Sequence, residues 1–335
     1  CARNGGGVFA NSEKPQSVNC VITNNYAGQY GGGGYGACYY DSTIGWNGSV
    51  NSGGGLFDCA KDLVHVVSNC LVTCNRVLTE EDEGSAYLGG GIAYAKSPRS
   101  LIIDSRIVGN ESRRNGGGVY ASGTLVRCLV SENVCGGAKG YGGGVCGYHG
   151  AKTYDASMLR VYDCVISNNV NGGFYTDNGC FGATGLCLGN GARAEHCLIT
   201  KNRNYDNSNY GYYKSAVFVT GGAVLRYSTV YGNASTLVGG VNVSGSGRFE
   251  KCVIAGNTIG RSDTTDPRHA VWGAFDFAMG TTYYRKDLAT HLADALAELH
   301  RLRQTRHRRI SRSRLVAAFS REFITIPARD VVQGA

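Results

Sequence analysis

Apolar residues in this chain come in short pulses, not long runs. Each pulse is a small residue, any residue, then Val or Ile, and an Asn follows three positions later. Eight copies read Cys20-Val-Ile22-Thr-Asn-Asn25, Cys70-Leu-Val72-Thr-Cys-Asn75, Ser105-Arg-Ile107-Val-Gly-Asn110, Cys128-Leu-Val130-Ser-Glu-Asn133, Cys164-Val-Ile166-Ser-Asn-Asn169, Cys197-Leu-Ile199-Thr-Lys-Asn202, Ser228-Thr-Val230-Tyr-Gly-Asn233 and Cys252-Val-Ile254-Ala-Gly-Asn257. Residues two apart on a strand face the same way, so the Cys and the Val or Ile of each copy point together into one interior. The residue between them faces outward, which predicts a largely apolar outer stripe from Val21 to Val253.

A second pattern precedes most copies: Gly5-Gly-Gly-Val8, Gly53-Gly-Gly-Leu56, Gly89-Gly-Gly-Ile92, Gly116-Gly-Gly-Val119 and Gly142-Gly-Gly-Val145. Two linked motifs recurring at spacings of 23 to 50 residues are the signature of a solenoid with insertions. The segments are Gly-rich and β-branched, which excludes helical repeats. The predicted fold is all-β: a right-handed, single-stranded parallel β-helix of about eight to nine coils. Asn is expected to close each strand in the left-handed conformation. Stacked Asn amides form a hydrogen-bonded ladder, and Gly permits a sharp corner and close coil contact. The Cys column (Cys20, Cys70, Cys128, Cys164, Cys197, Cys252) and the Asn column (Asn25, Asn75, Asn110, Asn133, Asn169, Asn202, Asn233, Asn257) are thereby assigned to the scaffold.

These Gly-Gly-Gly-Val turns and Asn-ended strands resemble the polymorphic outer-membrane protein repeats of chlamydiae. They are also similar to the wider right-handed β-helix repeats of bacterial surface proteins, over residues 4–258. The resemblance implies an exported, adhesive protein, extracellular or at the bacterial cell surface or outer membrane. A non-catalytic role follows as the leading expectation: binding of a polysaccharide or cell-surface glycan. One alternative is a polysaccharide-active enzyme, a lyase or glycoside hydrolase of the pectin-lyase-like type. Another is a structural spacer.

Composition adjusts this picture in few places. The formal net charge is +8, but residues 261–335 carry thirteen Lys and Arg against eight Asp and Glu. The basic character therefore belongs mainly to the tail, and a specific nucleic-acid partner is not expected. The chain divides into a β-helix domain, 1–260, and a basic, partly helical segment, 261–335. That segment reads as a cap or as a gene-model artefact. No stretch is long and apolar enough for a membrane-spanning helix. Ser replaces Cys in two copies of the column, so packing of small free thiols outweighs a disulfide framework. Loop bridges such as Cys135 with Cys146, or Cys180 with Cys187, stay open. No ligand spacing suits zinc, and no cofactor is expected. Calcium at Asp41 or Asp58 lacks an Asp-x-Asp repeat.

Candidate ligand-binding residues are the aromatics of two Tyr-rich segments read as loop insertions. The first runs from Tyr26 to Asn51 and holds Tyr30, Tyr35, Tyr39, Tyr40 and Trp46. The second holds Tyr210, Tyr212 and Tyr213. Amphipathic rings suit sugars, whose C–H faces stack while hydroxyls bond to polar neighbours. For the enzyme alternative, the column before Cys offers Asp104 beside Arg127, and Asp163 beside His196, one coil apart.

Overall fold

A computed structural model gives the structure of residues 2–10, 15–58, 63–78, 88–94, 97–136, 140–147, 159–172, 182–204, 214–235 and 238–259. The expected tail helices and Tyr210, Tyr212 and Tyr213 lie outside the described residues.

Among these, every strand belongs to one of four parallel sheets that run the length of the molecule. Sheet 1 holds ten strands, such as Tyr26–Tyr30 and Arg76–Val77. Sheet 2 holds nine, such as Leu56–Asp58 and Ile92–Tyr94. Sheets 3 and 4 also hold nine each, typified by Val66–Ser68 and Leu71–Thr73. The chain visits the sheets in the order 1, 2, 3, 4 and repeats. It completes nine coils of a right-handed parallel β-helix and starts a tenth.

The motif copies form sheet 4 in register, Val72 beside Ile107, Val130, Ile166, Ile199, Val230 and Ile254 in turn. All of these are buried, and the intervening column faces outward. Val21 in that outward column is 76% exposed, whereas Leu198, Thr229 and Val253 near the other end are buried. The expected outer apolar stripe is therefore covered at one end and open at the other.

The Asn ladder is continuous. Each Asn side chain from Asn47 to Asn257 accepts, through Oδ1, the backbone N–H and the Nδ2–H of the Asn in the coil before it, at 2.9–3.0 Å. From Asn47 onward, its Nδ2 also donates to the carbonyl of the apolar strand residue one coil back, as Asn110 does to Val72 O at 3.0 Å. An interior Asn thus satisfies all four of its side-chain hydrogen-bonding positions, which buried amides require.

Three expectations need correction. The segment Tyr26–Asn51 is not a loop but a complete coil. Ser42-Thr-Ile44-Gly-Trp-Asn47 is a ninth motif copy, and Asn47 is a rung of the ladder. Nor does the ladder Asn adopt the left-handed conformation. The residue before it does: Asn24, Trp46, Cys74, Glu132, Asn168 and Lys201 all have φ between 54° and 59°. The Asn itself must point inward to stack, so its neighbour makes the corner. Finally, the Gly triplet divides its labour. The first Gly takes positive φ, as at Gly116 (66°). A Cβ on the second would collide with backbone of the next coil, and one on the third would press against the ladder, as Gly118 would at 2.8 Å from Asn133 Nδ2.

The Cys column is a row of local caps. Each Sγ donates to the carbonyl two residues back, as from Cys128 to Val126 O at 3.3 Å, and Ser105 Oγ does the same to Ile103 O at 2.8 Å. The site therefore selects a small donor, which Cys and Ser both supply. No disulfide joins the cysteines among the described residues. Cys135 is buried in sheet 1, whereas Cys146 belongs to sheet 2 and lies in the apolar cluster on its outer face.

Burial pushes the Cys197 and Cys252 thiols up to about 12. Thiols in the unfolded chain ionise near 8.5. A group whose pKa is raised by folding contributes its full stability below the unfolded value. That contribution is lost as pH climbs toward the folded one. Urea titrations should show constant stability from pH 7 to 8.5, then a fall between about pH 9 and 12. Cys197→Ser should make that fall shallower. An unchanged slope would show that the thiol is not protected from ionising.

Insertions occur only on the two flanks of sheet 2. The corners from sheet 3 to 4 and from sheet 4 to 1 are always two residues, whereas Val77 to Ile92 and Cys146 to Arg160 span long connections. Sheet 2 is therefore the face around which this scaffold varies.

Candidate functional site

The residue after each Gly-Gly-Gly-Val motif faces out of sheet 2. In the first three coils this outer row is Phe9, Tyr35 and Phe57, in register. Phe9 and Tyr35 stack with centroids 5.3 Å apart and planes 24° from parallel, and Tyr30 stacks on Phe57 at 4.5 Å. Phe57, Tyr120, Cys146, Cys187 and Phe218 further along the row are buried, but Phe9 is 58% exposed.

Around the corner, on sheet 1, Tyr26 lies beside Gly48 and Arg76 in register. Gly48 has no side chain, and the space above it is walled by Leu78 and Tyr26, to which a Cβ there would come within 2.8 Å and 3.6 Å. Trp46 stands two residues before Gly48. Tyr26 and Leu78 are each 42% exposed and Trp46 66%. Trp46 at the corner between sheets 4 and 1, Tyr26 and Tyr30 on sheet 1, and Tyr35 and Phe9 on sheet 2 thus lie along one aromatic band on the outside of the coils.

Trp46 holds φ = 58°, a conformation that costs a residue with a Cβ about 1–2 kcal/mol. Nothing in the scaffold requires it there, since Asn24, Gly109 and Asn168 make the same corner in other coils. Trp46→Asn should raise stability by about 1 kcal/mol in chemical denaturation, and it should remove the most exposed ring of the band. A loss of stability would mean that Trp46 packs as scaffold.

The structure separates the expected candidates. Tyr30, Tyr35 and Trp46 fall in the band. Tyr39 is fully buried inside the solenoid and cannot touch a ligand, and Tyr40 is half-buried on the outer face of sheet 3. Phe9 and Tyr26 join the band. Phe9 could have been found by reading the position after each Gly motif.

Asp104, Arg127, Asp163 and His196 line the corner between sheets 3 and 4, all with φ near 50°. Arg127 donates to Asp104 twice, at 2.7 Å each, and the hydrogen-bonded carboxylate pushes the guanidinium pKa up. His196 Nδ1 lies 3.9 Å from Asp163 Oδ1. The two carboxylates sit two coils apart on one outer corner, with Arg127 between them.

Asp41 accepts a hydrogen bond from Asn69 at 2.7 Å. Asp58 is buried, accepting a short hydrogen bond from Ser97 Oγ, with His65 Nε2 at 3.2 Å. Asp58 and His65 flank one insertion and Ser97 follows another, so this cluster pins the feet of both. Among the described residues no group of three or more His, Cys, Asp or Glu side chains could hold a metal, and no helix could cross a membrane. In comparisons with family models, curated proteins and solved structures, nothing matches the chain.

Proposed function

We propose that this protein is a non-catalytic binding protein whose β-helix presents an aromatic band to glycans at a cell surface or outside the cell. The observation that carries the reading is Trp46. It is held exposed in a costly backbone conformation, two residues before the Gly48 notch that Tyr26 walls. Exposed rings with hydroxyls and bare backbone between them suit the alternating apolar and polar surface of a sugar. Binding side chains displayed on a rigid repetitive frame also fit the division between the laddered interior and the irregular outer face.

A glycan array and pull-downs on insoluble polysaccharides test the reading. Wild-type protein should be retained, and Trp46→Ala with Tyr26→Ala should lose retention while melting as the wild type does. Silence across the array and the pull-downs would refute it.

A further inference from the structure

We infer that the band recognises several consecutive sugars of an extended polysaccharide, not a single sugar. The inference rests on the glycan reading and adds the class of ligand. The band runs around the coil: Trp46 at the corner between sheets 4 and 1, Tyr26 and Gly48 on sheet 1, Tyr30 at the next corner, then Tyr35 and Phe9 on sheet 2. Tyr26 to Tyr30 alone covers about 13 Å at the rise of an extended strand, and rings continue beyond both ends. That is longer than one pyranose.

The described residues of the band stand on the outside of the coils, with Gly28 and Gly48 leaving the floor low between the rings. Hydrogen-bonding groups are spaced between the rings: the Gln29 amide, which accepts from Arg3 Nε at 2.8 Å, and the hydroxyls of Tyr26, Tyr30 and Tyr35. Along the sheet 1 row, Arg76 follows Gly48 in register and pairs with Glu111 at 3.0 Å. A pocket for a monosaccharide would enclose its ligand, as small-molecule sites do.

The test is calorimetry on the full chain with β-1,4-glucan, chitin-type and α-1,4-galacturonan oligomers of increasing length, from one ring to six. In the series that binds, affinity should rise about tenfold for each further ring engaged, equivalent to about 1.4 kcal/mol, and then level off. Trp46→Ala and Phe9→Ala, at opposite ends of the band, should each lower affinity for the longest oligomer and leave that for the shortest binding oligomer within about twofold. Equal affinity for one ring and six would overturn the inference while leaving glycan binding intact. No binding in any series, together with silence in the array and the pull-downs, would overturn both.

Discussion

Asn110→Leu should destabilise the protein by on the order of 5 kcal/mol, the largest effect expected of any single replacement in the scaffold. Leucine keeps the branched outline of asparagine but is larger and has no polar atoms, so lost hydrogen bonds dominate and overpacking adds to them. Asn110 Oδ1 accepts from Asn75 N and Nδ2 at 3.0 and 2.9 Å, and its Nδ2 donates to Asn133 Oδ1 and Val72 O at 3.0 Å each. Removing the amide orphans two donors and a carbonyl in a site with no exposure. Each buried polar group left unpaired costs about 1–3 kcal/mol. Asn25 offers the comparison. It is half-buried, and its carboxamide donates to Asn47 and Thr23. Asn25→Leu should cost less than half as much in urea denaturation followed by circular dichroism. Equal costs at both positions would mean that the ladder adds nothing beyond its individual bonds.

Gly34→Val should cost about 3 kcal/mol or more, and Tyr39→Val in the same chain should restore most of it. Position 34 faces inward on sheet 2, where neighbouring coils carry Val8 and Leu56. The Tyr39 ring crosses from sheet 3, where its register neighbour is Val67, and its hydroxyl lies where a Cβ on Gly34 would sit. Burial pushes the Tyr39 phenol far above its usual range, and the hydroxyl has no hydrogen-bond partner. Tyr39→Val alone should open a cavity and cost about 3–5 kcal/mol. The double variant returns this coil to the Val and Leu pattern of its neighbours. If the two losses simply add, the side chains are not filling one another's space.

The inside of this solenoid was more legible than its outside. Ladder positions repeat because each stacks on its own kind, so the Cys, Val or Ile, and Asn columns appear as period and identity in the sequence. The coil at 26–49 carries the full motif at Ser42-Thr-Ile44-Gly-Trp-Asn47, but its aromatic-rich strands and the long gap between Asn25 and Asn75 made it resemble an insertion. The left-handed corner was misplaced by one residue because many residue types occupy it; Glu132, Lys201 and Trp46 give no common signal. The band was legible only in fragments. Tyr30, Tyr35 and Trp46 read as binding residues by type, but only the winding of the coil brings Phe9 beside Tyr35 and separates Tyr39, which points inward. Likewise, Asp104 beside Arg127 was readable from the column spacing, whereas their position on an outer corner depends on the fold.

On the proposed reading, binding belongs to the aromatic band of the first three coils and stability to the ladders beneath it. Affinity electrophoresis through gels containing the retained polysaccharide tests this most directly, comparing wild type, Tyr26→Ala with Trp46→Ala, and Tyr40→Ala. Wild type and Tyr40→Ala should be retarded equally, and the double variant should migrate as in a gel without polysaccharide while keeping its melting temperature. Equal retardation of all three would contradict the account.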